Sequence, residues 1–229
     1  MVAKTTVYFG DDVVHGSEQS WHLEQIRPFL ESPDGDGPAV IARYFPRVAR
    51  RQDVALWRQR SLEYGILELS CGQIAREWVT FPGHVHRGPR LVPFSSVLEV
   101  LQGDGALYLQ RVGTFDRIYE ATIVWLSPPN RVLLPPGYAH ALVNCGDVPF
   151  VVAEAHSIHT TAQFSDIARH RGMAHYIGPD GFRPNLHYRV IPPVREIPAH
   201  AMAPPQAPEG DLYESMIKKP ERFRFLHPI

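Results

Sequence analysis

The sequence is poor in cysteine, because only Cys71 and Cys145 occur among its 229 residues. Two cysteines cannot build the disulfide framework of a small secreted protein, and their separation is not that of zinc ligands. We therefore expect reduced thiols. Cys145 lies in the turn-like segment of residues 144–147, Asn-Cys-Gly-Asp, where a structural role is expected.

The sequence also lacks an excess of either charge. Its 23 Lys and Arg are balanced by 24 Asp and Glu, and no run of one sign forms a charged tract. A nucleic-acid partner is therefore not expected. No apolar run reaches the length of a membrane span, and the first residues lack a secretory signal pattern. These absences predict a cytoplasmic protein that has no membrane partner.

The hydrophobic residues, 44% of the chain, are enough to bury one substantial core. A turn cluster at residues 33–38 precedes the strand that would enter the barrel, at residues 39–45. From residue 62 on, short apolar, β-branched and aromatic segments are separated by Gly, Pro or Asp. They cover residues 62–69, 77–81, 95–102, 106–111, 119–126, 131–134, 141–144 and 150–156. Such spacing predicts an all-β protein, a barrel or sandwich of the double-stranded β-helix kind.

The flanking segments are expected to differ from the barrel. We predict an N-terminal extension, residues 1–36, with a strand at 4–9 and a helix at 17–27, and then the barrel at 37–164. A helix at 165–175, capped by Ser165, would pack outside the barrel. From residue 191 the chain holds eight of its 22 prolines, which predicts an extended arm with one short helix at 210–218. The aromatic ending at 222–227 would dock on the barrel or on a second subunit.

Two histidines are spaced for a shared ligand in Gly83-His84-Val85-His86. On a β-strand, side chains alternate between faces, so the two imidazoles would converge on one point. A third imidazole, His140, follows a Pro-Pro-Gly segment more than fifty residues later. Three neutral imidazoles would form a facial triad that leaves positions open for substrate or water. An isolated His-x-His pair would equally suit an exposed strand without a ligand.

The surroundings of these histidines carry a family resemblance. Residues 135–144, PPGYAHALVN, have the P-x-G-x2-H-x3-N spacing of the second cupin motif, and GHVH at 83–86 followed by Gly103 fits the first. The chain resembles the cupin superfamily, and within it the cupin-type phosphoglucose isomerases, over residues 37–156. This resemblance implies a cupin jelly-roll barrel, a homodimer, an aldose-ketose isomerase, and one divalent transition metal on His84, His86 and His140. Imidazole ligands accept iron, manganese, zinc and nickel alike.

The sequence departs from that family at the fourth metal ligand, a glutamate whose position is taken by Ser96. The nearest carboxylate, Glu99, lies three residues on and would point to the opposite face of a regular strand. The family's hydroxyl-bearing sugar-phosphate contacts are also replaced in the expected pocket. Tyrosine or threonine would be expected where this chain has Ile41, Leu67, Phe81 and Leu98, and histidine where it has Ala162. These changes predict a less polar substrate than glucose 6-phosphate.

A substitute carboxylate is found on the strand predicted at residues 150–156. By alternation Glu154 and His156 share a face, and the resemblance aligns His156 with an inward-pointing tyrosine of the family. A carboxylate inside an apolar barrel is costly unless it is paired or functional, which makes Glu154 the candidate ligand or base. The alternative is a strand that turns Glu154 to solvent. Tyr138 matches an aromatic residue of the family's pocket wall, although packing alone would also explain it.

Three functions remain open at this point. Metal-assisted proton transfer through an enediol would isomerise a sugar or another hydroxy-carbonyl compound, with Glu154, His156 and Tyr138 as catalytic candidates. A site of three histidines and Fe(II) would instead serve a dioxygenase of a small molecule. A cupin that binds a small molecule without turnover is the third function.

Overall fold

The computed structural model describes residues 7–205 and 210–227. Twelve strands form two six-stranded sheets. They are β1 (Gln19–His22), β2 (Val40–Phe45), β3 (Leu62–Leu69), β4 (His84–Arg87), β5 (Ser96–Gln102), β6 (Gly105–Val112), β7 (Ile118–Leu126), β8 (Arg131–Leu134), β9 (Ala139–Asn144), β10 (Phe150–Ser157), β11 (Thr161–Gln163) and β12 (Arg195–Glu196). One sheet has the order β11-β4-β9-β6-β7-β12 and the other β8-β5-β10-β3-β2-β1. All pairings except β7 with β12 are antiparallel, so the all-β jelly-roll prediction is confirmed.

Short helices and hairpins surround the two sheets. The α-helices are α1 (Leu23–Ile26), α2 (Val54–Gln59), α3 (Ser165–Arg169) and α4 (Leu212–Lys218), and 3₁₀ turns cover Arg27–Phe29, Arg51–Asp53, Pro89–Leu91, Ala199–Met202 and Pro220–Leu226. Two-stranded pairs join Val13–Val14 to Ala49–Arg50, Gln73–Ile74 to Glu77–Trp78, and His175–Gly178 to Gly181–Pro184. Within the described ranges, none of the helices has the length and apolar character needed to cross a membrane.

The central strands β6 and β9 of the first sheet are buried on both faces, which explains why they read as nearly continuous apolar runs. Leu107, Leu109 and Leu142 pack inside the barrel, whereas Tyr108 and Val143 on the same strands pack outward. The outward side chains are covered by residues of the segment that follows the barrel, Ile167, Met173 and Ile177. Alternation of polar and apolar residues is lost because neither face of β6 or β9 meets solvent over most of its length.

The outer face of the second sheet is covered by the C-terminal segment. Leu212 and Met216 of α4, with Phe223 and Leu226 beyond it, are almost fully buried against this face. Each such apolar side chain contributes roughly 1.5–3 kcal/mol on burial. The aromatic ending therefore docks on its own barrel. Both cysteines are free thiols, and burial raises the pKa of the Cys145 thiol to about 12, which suits a structural residue.

The N-terminal part differs from its prediction. Residues 17–27 do not form one helix, because Gln19–His22 is strand β1, which pairs with β2 inside the barrel sheet, and α1 has only four residues. The local sequence is only weakly periodic, so cross-strand pairing decides the conformation. The barrel sheet thus begins before residue 37. Of the strand predicted at 4–9, residues 4–6 lie outside the described ranges, and residues 7–9 are not in a strand.

The helix predicted at 165–175 ends at Arg169. Arg171 and Gly172 both have positive φ, 55° and 116°, a conformation that cannot continue a right-handed helix. Its N-cap is Phe164 and no side chain caps it, so the capping role of Ser165 was wrong. The helix predicted at 210–218 begins at Leu212, where the side chain of Asp211 accepts a 2.7 Å hydrogen bond from the Glu214 amide.

Candidate metal centre

The three histidines of the sequence motif meet inside the barrel. In the antiparallel pairing of β4 with β9, His140 lies directly opposite His84, and His86 follows on the same face of β4. The imidazole centroids are 5.1 Å apart for His84 and His86, 4.2 Å for His84 and His140, and 4.6 Å for His86 and His140. One ring nitrogen from each residue lies within 4.8 Å of the other two. This three-histidine cluster could hold a metal ion.

Burial keeps all three imidazoles neutral. Desolvation is the main cause that lowers the pKa of His84, and it lowers the pKa of His86 and His140 well below the usual value. The Nδ1 atom of His84 is 2.9 Å from the Pro82 carbonyl oxygen. Because a carbonyl can only accept, Nδ1 carries the proton in this hydrogen bond, and the lone pair of Nε2 stays free for a metal. In the described part of the chain, the buried Nδ1 of His86 has no hydrogen-bond partner. Neutral, enclosed and partly unpartnered imidazoles fit the ligand chemistry of a divalent transition metal.

The carboxylate nearest the triad belongs to Glu154. Its position on β10 lies opposite Gly65 and Leu98 of the neighbouring strands, so the side chain enters the barrel. The carboxylate Oε1 is 3.7 Å from His86 Nε2, and among the described residues this buried oxygen has no hydrogen-bond partner. Glu154 does not belong to the cluster of mutually close ligand atoms. The carboxylate therefore lies beside the triad rather than within it.

Glu99 has a different environment. It lies on the opposite face of β5, where Arg131 donates a 2.6 Å hydrogen bond to its carboxylate and the Leu212 amide donates one of 2.8 Å. Glu99 therefore anchors the C-terminal helix. Ser96 is fully buried between His156 and Leu134 in the sheet, and in the described chain its hydroxyl has no partner.

A cavity of about 370 Å³ opens above the triad. Of the predicted pocket and catalytic residues, the structure brings Leu67, Phe81, Leu98, Glu154 and His156 to its wall, and Ala162 also lines it. Three of the predicted residues do not line the cavity, namely Ile41, Ser96 and Tyr138.

Ile41 is fully buried in the core, and Ser96 is enclosed in the sheet. Tyr138 is held away from the cavity, because its hydroxyl donates a 2.7 Å hydrogen bond to Glu120 on β7. Tyr138 therefore does not line the cavity, and its catalytic role stays a prediction. Spacing within the motif could not reveal this partner, which lies 18 residues earlier in the chain.

Several residues of the cavity were missed by sequence reasoning. Trp21 and Phe164 line it together with Phe81, and so do Tyr44 and Glu63. Trp21 was assigned to a helix, and Phe164 is the last residue of the predicted barrel. The alternation of Gln19 and Trp21 was the available signal for an edge strand with one face toward the core.

Tyr44 crosses the neighbouring strand at Gly65. A Cβ atom at Gly65 would lie 2.6 Å from two ring carbons of Tyr44, so glycine is required there. The Tyr44 hydroxyl is 3.4 Å from His156 Nε2. Burial and the charges of Glu154 and Glu63 raise the pKa of the Tyr44 hydroxyl well above its usual value, which keeps the hydroxyl protonated.

The chain is similar to several proteins of known structure. Among solved structures, vicilin from Capsicum annuum is 14% identical with a TM-score of 0.40, over 55% of this chain and 31% of that one. Vicilin from Solanum melongena is 11% identical with a TM-score of 0.42, over 58% of this chain and 33% of that one. The chain spans about a third of the length of these vicilins.

CapF with the inhibitor 3-isopropenyl-tropolone is 15% identical with a TM-score of 0.38, over 53% and 31% of the two chains. The comparison with curated protein sequences returns no match. A family model described as glucose-6-phosphate isomerase (GPI) matches residues 29–187, well over half of the 229 residues. This match includes His84, His86, His140 and Glu154. The chain therefore belongs to the glucose-6-phosphate isomerase (GPI) family, in its cupin form.

Proposed function

We propose that this protein is a metal-dependent isomerase of a small hydroxy-carbonyl compound other than glucose 6-phosphate. The observation that carries the proposal is the Glu154 carboxylate, which faces the triad with an unpartnered oxygen 3.7 Å from His86 Nε2 among the described residues. A buried carboxylate oxygen without a hydrogen-bond partner is costly, so it suggests a ligand or a proton to accept. Membership of the GPI family supports an isomerase.

The reaction would move two protons and no net electrons. A divalent transition metal on His84, His86 and His140, one of iron, manganese, zinc or nickel, would polarise the substrate carbonyl as a Lewis acid. Glu154 would take the proton from the carbon beside the carbonyl and return it to the former carbonyl carbon. The Tyr44 hydroxyl, 3.4 Å from His156 Nε2, would provide the donor for the proton that moves between the two oxygens.

Two roles were left open for Glu154, a fourth ligand or a base. Its exclusion from the cluster of mutually close ligand atoms favours the base. Leu67, Phe81 and Leu98 offer no hydrogen bonds to phosphate oxygens, and from them we infer a substrate without a phosphate group, although Arg47 also lines the cavity.

A second candidate is a three-histidine Fe(II) dioxygenase. The ligand set favours it, because within residues 7–205 and 210–227 no carboxylate joins the three histidines. Three neutral ligands leave the charge of a divalent ion uncompensated, which suits an anionic substrate.

The test separates these functions from binding without turnover. Protein purified without an affinity tag is analysed for its metal and then incubated in D₂O with a panel of unphosphorylated aldoses, ketoses and hydroxy-ketones. Deuterium entering the carbon skeleton without oxygen uptake supports the isomerase. Oxygen uptake with added Fe(II) supports the dioxygenase, and saturable binding with neither leaves a binding protein.

Two matched variants assign the carboxylate. Glu154→Gln keeps the shape and removes the charge, and we expect it to lower exchange at least 100-fold with unchanged metal content. Glu99→Gln, on the other face of the barrel, is the control and should retain exchange. Loss of exchange in the control alone would contradict the role of Glu154.

A further inference from the structure

We infer that the substrate carries an aryl ring or a similarly flat apolar group, and that this group packs against the surface formed by Trp21, Phe81 and Phe164. The inference rests on the proposed function for its reacting half, because the hydroxy-carbonyl end is assigned to the triad and Glu154. The apolar end of the substrate would be recognised by the wall of the cavity, whichever reaction the site performs.

The three aromatic side chains form one cluster, although they come from three separate segments of the chain. Trp21 lies on β1, Phe81 lies just before β4, and Phe164 lies just before α3. The ring centroids of Trp21 are 5.2 Å from those of Phe81 and 5.1 Å from those of Phe164, and Phe81 and Phe164 are 6.3 Å apart. Tilted and edge-on rings at these distances are the preferred aromatic arrangement, so the cluster forms a defined surface.

The cluster lies at one end of the triad. The His84 imidazole is 5.6 Å from the Phe81 ring and 5.0 Å from the Phe164 ring, centroid to centroid. The polar groups lie at the other end, where Glu154 is 3.7 Å from His86 and the His156 ring is 6.2 Å from the His86 ring. A substrate bound across the triad would have its reacting carbon toward His86 and its substituent toward His84.

Within the described residues, the buried polar atoms of the cavity wall without a hydrogen-bond partner also lie at the polar end of the triad, and not at its aromatic end. The buried atoms of the cavity wall without a hydrogen-bond partner in the described chain include Glu154 Oε1 and Thr160 Oγ1. Around the aromatic cluster the wall continues with leucines, which cannot form hydrogen bonds with a substrate. These are Leu67, Leu98, Leu134 and Leu142. Sugar hydroxyls placed against these leucines would lose their hydrogen bonds to water and gain none from the protein. An aryl ring has no such hydrogen bonds to lose.

The size of the cavity agrees with this substrate. About 370 Å³ is at the small end of the range for small-molecule sites, and it exceeds what a three-carbon hydroxy-carbonyl unit would fill. The remaining volume is lined by the aromatic cluster and the four leucines, together with polar side chains that include Gln19 and Arg47.

The experiment uses four inert α-hydroxy acids that share one chelating group and differ in their substituent: mandelate, 3-phenyllactate, lactate and glycerate. Binding to zinc-loaded and to metal-free protein is measured by isothermal titration calorimetry. We expect at least one aryl acid to bind at least tenfold more tightly than lactate and glycerate. The preference should persist without zinc, because it comes from the aromatic cluster.

Variants locate the source of the preference. Trp21→Leu and Phe164→Leu should each reduce aryl affinity at least fivefold and leave lactate affinity unchanged. Trp125→Leu is the control, since Trp125 is half-exposed and outside the cavity. Glycerate binding as tightly as both aryl acids, or a preference that survives in both variants, would overturn the inference. Deuterium exchange tests the reaction separately, so an aryl preference without exchange would remove only the isomerase.

Discussion

His84 and His140 are direct cross-strand neighbours in the β4–β9 pairing, with ring centroids 4.2 Å apart. Backbone register alone brings them together, from positions more than fifty residues apart in the sequence. The two imidazoles are therefore positioned by the register of one strand pair within the first sheet.

We predict that His84→Ala and His140→Ala each lower bound metal to less than a tenth of the wild-type content, because two imidazoles bind a divalent ion far more weakly than three. Elemental analysis of untagged protein measures this. His159→Ala is the control, since His159 is exposed and is not in the cluster. Wild-type metal content in both cluster variants would mean that the ion binds elsewhere.

Glu99→Gln should reduce stability and leave the metal content unchanged. The substitution weakens a buried contact with Arg131 and the hydrogen bond from the Leu212 amide, and we expect a cost of about 2–4 kcal/mol. Urea unfolding measures the change in the free energy of unfolding. Metal loss with unchanged stability would instead mean that Glu99 reaches the cavity.

Gly65→Ala should cost about 1–3 kcal/mol, because a Cβ atom there meets the ring of Tyr44. The same substitution in a Tyr44→Ala background should cost much less, since the clash partner is gone. A double-mutant cycle by urea unfolding measures the coupling. Equal costs in both backgrounds would show that the alanine clashes with something other than Tyr44.

The pH dependence of stability should contain a contribution from His175. Burial lowers its pKa to about 4, and its Nδ1 is 2.7 Å from the Tyr108 hydroxyl. The unfolded chain binds a proton near pH 6.5 and the folded chain only near 4, so stability falls as the pH drops through that window. At pH 4 we expect a loss of about 2–3 kcal/mol relative to neutral pH, less than the full shift implies, because at pH 4 the folded protein is itself about half protonated at His175.

Unfolding of wild-type protein and His175→Gln at pH 7.5, 5 and 4 isolates this contribution from that of the triad, which is common to both. The difference in the free energy of unfolding between the two proteins should shrink with decreasing pH. A difference that stays constant over this range would show that His175 does not titrate there.

The alternation of side chains along a strand accounts for the site residues whose orientation could be predicted from the sequence. Alternation correctly gave the convergence of His84 with His86, the opposite face of Glu99 and the shared face of Glu154 with His156. These inferences needed only one strand at a time, because the period of two is a local property of the chain.

Positions that depend on distant neighbours were not predictable in this way. The orientation of Tyr138 depends on Glu120, and the strand at Trp21 depends on pairing with β2. No periodicity within either segment contains that information. The homodimer expected from the family resemblance stays a prediction.

The strand that carries Trp21 lies at the edge of its sheet and has one neighbour. It also precedes residue 29, where the match to the family begins. Both Gln19 and Trp21 face the cavity from this strand, while the histidines lie on strands within the matched region. Part of the cavity wall is therefore built from outside the region that the family shares, so relatives that agree over the matched residues can still differ in this part of the cavity.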